Sequence, residues 1–167
     1  MQVDSFRFLP KSFLPLYEDA RPIDGEGDPV WAPFTRRLAD ACIALMTSAG
    51  RSQEGAQEPF DLDGERRQPT WGDPSHRVLP HRDCGPLVMS HLHVNPTDIL
   101  ADGNVALPVD ALDDLVASGR VGRAAPAHVS VMGYQEAGLT VWRDVTAPTM
   151  VELFRAQGTD GVVLAPV

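Results

Sequence analysis

Thr146-Ala147-Pro148-Thr149-Met150-Val151-Glu152-Leu153-Phe154-Arg155-Ala156-Gln157-Gly158, then Thr159-Asp160, then Gly161-Val162-Val163-Leu164-Ala165-Pro166-Val167, is the stretch whose reading decides the fold. Thr146 is a good N-cap, and Pro148 falls in the first turn, where a missing N–H costs nothing. Met150, Val151, Leu153 and Phe154 recur at helical spacing and form one apolar face. Gly158 closes the helix, and the run from Gly161 to Val167 reads as a buried strand. A helix returning through a short loop to an apolar strand is the repeating piece of a parallel sheet.

The same grammar extends upstream. His128 to Met132 alternates as a strand before Gly133, and Asp110 caps a helix with apolar positions Leu112, Leu115 and Val116, closed by Gly119. Val105-Ala106-Leu107-Pro108 is a brief extended piece, and His76 to Pro80 is a weak strand. Cys42-Ile43-Ala44-Leu45-Met46-Thr47 looks like a buried parallel strand entering the loop Ser48-Ala49-Gly50, and Arg36 to Asp40 makes a helical turn. Residues 51–76 read as one long polar loop of the kind that lines sites. The expected architecture is α/β: an open, mainly parallel, doubly wound (Rossmann-like) sheet with helices on both faces. Residues 35–167 form that single domain. Residues 1–34 form an irregular arm, because five prolines among scattered aromatics exclude a regular helix or central strand.

A chain of 167 residues is long enough to bury a full core without staples. Its net charge of -9 argues against nonspecific binding to nucleic acid or anionic membranes, which need a basic face. The first twenty residues lack the pattern of a signal peptide, and no apolar run is long enough to span a bilayer, so the expected location is the cytoplasm. Cys42 and Cys84 lack CxxC spacing and read as two reduced thiols.

The chemistry-bearing stretch is Leu87-Val88-Met89-Ser90-His91-Leu92-His93-Val94-Asn95-Pro96, read as a short strand emerging into a polar turn. Strand side chains alternate, so His91 and His93 share one face. Two imidazoles there suit substrate binding, proton transfer or a metal such as zinc or iron, with His76, His81, Asp98 or Asp102 as a third ligand, or are simply structural. Thr47, Ser48 and Arg51 around Gly50 offer hydroxyls, amides and a cation for a carboxylate or phosphate. The acidic run from Glu58 to Arg67 lacks the closing glutamate of an EF-hand and reads as a solvated turn. Cys84, between Asp83 and Gly85, is an exposed thiol with His81 and Arg82 nearby in sequence.

Several of these short motifs, in this order, resemble a known family. They are Ile43 to Gly50, Gln57-Glu58-Pro59-Phe60-Asp61, Gly72 to Pro80, Ser90-His91-Leu92-His93, Leu107-Pro108-Val109-Asp110 and Met132-Gly133-Tyr134. The sequence from about Pro33 to Val167 resembles the selenoprotein B family of glycine, sarcosine, betaine and D-proline reductases. The resemblance implies reductive C–N cleavage in amino acid metabolism, on a small amine or amino-acid-like substrate held by a pyruvoyl-bearing partner subunit. It also implies an oligomeric assembly. A cysteine or selenocysteine of the B-type subunit attacks carbon in such a mechanism. The pocket it implies has His91 and His93 as catalytic residues, with Thr47, Ser48, Arg51, Glu58 and His76 binding substrate.

In family members the redox residue follows a strand like Gly161 to Val167. Here the sequence ends at Val167, and neither cysteine matches that position. The expectation is therefore a domain without its nucleophile, inactive alone. Three explanations stand open: a reading frame stopped at a UGA codon for selenocysteine, a naturally shortened relative, or a protein completed by another chain. The other readings are a metal-dependent lyase or oxygenase using His91 and His93, and a binding or assembly subunit without chemistry.

Overall fold

The computed structural model describes residues 32–68, 71–92, 94–133, 135 and 139–167. The chain divides into two units, Met1–Pro33 and Phe34–Val167, and the sheet belongs to the second. The arm expected over residues 1–34 lies outside the described residues up to residue 31.

β1 (Cys42–Thr47) is the centre of the sheet, and five of its six residues are buried. On one side it pairs in parallel along its length with β7 (Gly161–Ala165). On the other it pairs in parallel with β5 (Arg123–Ala124) and then β6 (Ala127–Val131). Cys42 partners Arg123 and Ile43 partners Ala124, but Met46 partners Val129 and Thr47 partners Ser130, so β5 and β6 are one strand carrying two extra residues. Pro126 sits in the interruption, where the absence of an N–H suits a break in the ladder. β3 (His76–Pro80) closes the far edge against β6 and runs antiparallel. The sheet is thus mainly parallel with one antiparallel edge, an α/β arrangement.

Alternation along β1 builds two cores. Ile43 and Leu45 pack with Leu79, Leu107 and Leu112 beneath α3 (Val109–Ala117). Cys42, Ala44 and Met46 face the other way, with Val129, Val131, Met150 and Phe154 under α5 (Ala147–Ala156). Each fully buried leucine contributes about 2 kcal/mol, so the sheet is held from both sides. No helix among the described residues is long and apolar enough to cross a membrane.

Four expected elements differ. Thr146 holds the N-cap position of α5 but its side chain caps nothing: α4 (Leu139–Val141) runs through a π-helical segment (Trp142–Thr146) into α5, and the Thr146 hydroxyl donates to Pro74 O at 2.6 Å. Asp110 lies inside the first turn of α3, whose N-cap is Pro108. The supposed loop 51–76 contains β2 (Arg51–Gln53) and α1 (Leu62–Arg67), the latter capped by Asp61 Oδ1 accepting from Gly64 N at 2.8 Å. Two short helical pieces follow, α2 (Thr97–Ala101) and a 3-10 turn at Gly103–Val105 where an extended piece was expected.

Candidate functional site

The parallel strands β1, β6 and β7 all end on one side of the sheet, where an open α/β sheet exposes loop backbone and where ligands bind. A cavity of about 410 Å³ opens there. Its floor is Met46, Thr47 and Ser48 from the end of β1, its sides are Met132 and Gly133 after β6 and Leu164 to Pro166 of β7, and its roof is Leu139 and Trp142. Thr47 is fully buried, and its hydroxyl accepts from Ala49 N at 3.3 Å. Ser48 ties down the exit of β7: Val167 N donates to its Oγ at 2.9 Å, and Ser48 N donates to Ala165 O at 3.3 Å.

The walls are mainly apolar, but two buried polar atoms lack partners among the described residues. Gln135 donates Nε2 to Asp73 O and Met132 O, leaving Oε1 unbonded, and Trp142 Nε1 is also unbonded. Both atoms are closed to solvent, so a small ligand carrying one group of each kind would meet them after these two cavity-lining side chains turn.

β4 (Leu87–Met89) stops before the His-x-His motif. It has only the three residues of β2 to pair with, and Ser90 N closes the ladder onto Gly50 O at 2.9 Å. His91 therefore lies past the strand whose alternation was expected to orient it. The His91 side chain is 5% exposed, and its Nδ1 lies 4.0 Å from Oε1 of Glu65, itself 1% exposed on α1. The second Glu65 oxygen accepts from Leu92 N at 3.3 Å. His93 lies outside the described residues.

Of the remaining expected site residues, the structure brings only Thr47 and Ser48 into this cavity. Arg51 turns to the α3 side, Glu58 is exposed beside Pro59, and His76 begins β3 opposite Val131. Burial, with the neighbouring Arg77 charge, lowers the His76 pKa. Among the described residues no three His, Cys, Asp or Glu side chains are grouped to hold a metal. Cys42 is buried in β1, and Cys84 lies with Arg51; both are free thiols.

A second polar group had no local pattern to reveal it. Leu45 N donates to His128 Nδ1 at 3.1 Å, His128 Nε2 meets His81 Nδ1 at 2.9 Å, and His81 Nε2 meets Asp113 Oδ1 at 2.9 Å. The backbone amide fixes every proton in this chain: His128 must carry hydrogen on Nε2 and donate it to His81, which donates in turn to Asp113. Arg82 holds the other Asp113 oxygen at 2.7 Å. The pKa of His128 falls to about 4, chiefly through burial and then through His81.

No family model matches the chain, and no solved structure matches it. It is 29% identical over 137 residues, 81% of its length, to D-proline reductase subunit gamma of Acetoanaerobium sticklandii. It spans about half the length of that curated relative, 52%. A likeness at that level over most of the chain, on a mainly parallel α/β sheet, makes this protein a distant relative of the D-proline reductase subunit.

Proposed function

We propose that this chain is a cytoplasmic reductase subunit that helps cleave a carbon–nitrogen bond in a small amine or amino-acid-like substrate, D-proline being the first candidate. The likeness to D-proline reductase subunit gamma carries the reading. The cavity at the carboxyl ends of β1, β6 and β7 supports it by offering a mainly apolar enclosure with unbonded polar atoms at Gln135 and Trp142.

In such a cleavage a thiolate or selenolate attacks carbon, and the bond to nitrogen breaks with its electron pair leaving on nitrogen, which takes a proton. A dithiol then reduces the sulfur– or selenium–carbon adduct. Neither cysteine of this sequence lines the cavity, so the nucleophile comes from a partner subunit or from sequence outside these residues. Thr47, Ser48, Gln135 and Trp142 position the substrate. His91, beside the Glu65 carboxylate and not among the residues that line the cavity, and His93 are the proposed proton-handling groups, serving the departing nitrogen without touching the substrate in the cavity.

The test is dithiol-dependent consumption of D-proline, with glycine, sarcosine and betaine as comparisons, by the chain in the assembly recovered from its own cell. Gln135→Leu and Trp142→Phe should each lower kcat/KM about tenfold, the worth of one hydrogen bond in an enclosed site. An assembly that contains the chain yet consumes none of the four would overturn the reading.

A further inference from the structure

Arg51 opens β2 and faces a cavity of about 290 Å³ on the α3 side of the sheet, away from the cavity at the strand ends. The residue is 8% exposed, and among the described residues its guanidinium makes one hydrogen bond, Nη1 to Gly103 O at 2.9 Å. Among the described residues no carboxylate lies within ion-pair distance of it. The backbone of Gly103 supports the guanidinium closely: a Cβ there would come within 2.7 Å of Nη2. A buried cation without a counter-ion is costly unless something neutralises it, and burial lowers the Arg51 pKa accordingly.

The other polar groups around this cavity are occupied. His81 is held between His128 and Asp113, Arg82 is paired with Asp113, and the Cys84 thiol donates to Pro80 O. The Asn104 amide exchanges hydrogen bonds with Asp110 and also donates to Asp102. Arg82 has further donors but is exposed to solvent and already ion-paired, whereas Arg51 is buried and keeps spare donors with no carboxylate partner, in the planar fork that matches a carboxylate. Asp83 and Asp110 are exposed at the rim and disfavour a dianion such as phosphate. Leu87, Leu107 and Val109 complete the lining with aliphatic surface.

We infer that this cavity is a binding site for a short aliphatic monocarboxylate, its carboxylate on Arg51 and its hydrocarbon against Leu87, Leu107 and Val109. The volume, at the lower end of small-molecule sites, fits a molecule of a few heavy atoms. The inference does not rest on the reductase reading.

Calorimetry on the full chain with pentanoate, inorganic phosphate and butylamine tests it, together with the rate at which Cys84 is alkylated. Pentanoate should bind saturably and slow Cys84 alkylation with the same midpoint, because it covers the thiol and neutralises the adjacent cation. Phosphate and butylamine should bind at least about tenfold more weakly, and Arg51→Met should weaken pentanoate by a similar factor. The wild-type protection experiment decides the matter even if Arg51→Met fails to fold. Absence of saturable pentanoate binding, binding that leaves Cys84 alkylation unchanged, equal binding of phosphate, or undiminished binding by Arg51→Met would each overturn the inference.

Discussion

His128 is fully buried on β6, and its imidazole does work that backbone normally does. The interruption between β5 and β6 removes the carbonyl that would accept from Leu45 N, and His128 Nδ1 takes its place. Protonating His128 breaks that bond or sets two N–H groups against each other. Its folded pKa of about 4 lies below the ordinary 6.5, so the unfolded chain binds more protons than the native one between those values. Stability should therefore rise with pH across that window, by at most about 3 kcal/mol from this residue. Urea denaturation at pH 4 to 7 measures it, and His128→Ala should flatten that part of the curve. The substitution should also cost about 2–4 kcal/mol through the orphaned Leu45 amide and the space left behind.

Among the elements, β1 and β6 were legible because each is an apolar run whose inward residues meet a core, and β3 because Leu79 does so. β7 was legible as a strand, but its apolar run reads as buried and none of its five residues is, since it covers one edge of β1 with no strand beyond it among the described residues. β2 was not legible, since all three of its residues, Arg51, Ser52 and Gln53, are polar and its partner β4 is far along the chain. α1 was hidden by Gly64 and its acids, which read locally as a turn; Asp61 holds it as a helix by capping. For the same reason Glu65 escaped notice as the neighbour of His91: only the folded β2–β4 ribbon and α1 bring the two together. Within the cavity, Thr47 and Ser48 followed from the strand that precedes them. Gln135 and Trp142 carry no sequence signal, because a π-helical segment and long-range packing place them. The turn from β1 into β2 depends on Gly50, at φ +61°, where a Cβ would run into Ser90 O and come within 2.7 Å of Met132 Sδ. Gly50→Ala should destabilise the protein by about 2 kcal/mol or more, seen as a lower urea midpoint.

At the scale of the whole molecule the sheet is unevenly protected. Leu79 and Val129 are fully buried, whereas Val163 and Leu164 on β7 are 49% and 66% exposed. Leu79→Ala should cost about 3 kcal/mol and Leu164→Ala less than about 0.5 kcal/mol. Amide hydrogen exchange should be slowest in β1 and β6 and faster in β7. The sheet is also the partition between two chemistries. The strand-end cavity belongs to the side held by α5, the Arg51 cavity to the side held by α3, and β6 serves both. That double service depends on the number of residues inserted between β5 and β6. Because the insertion is even, parity survives it: Arg123, Ala125, Val129 and Val131 stay on α5's side and His128 on α3's. Removing Ala125 and Pro126 together would splice the strand into one ladder and return a carbonyl to Leu45, leaving His128 dispensable. Removing either one alone would turn β6 inside out, burying what now faces one chemistry in the wall of the other.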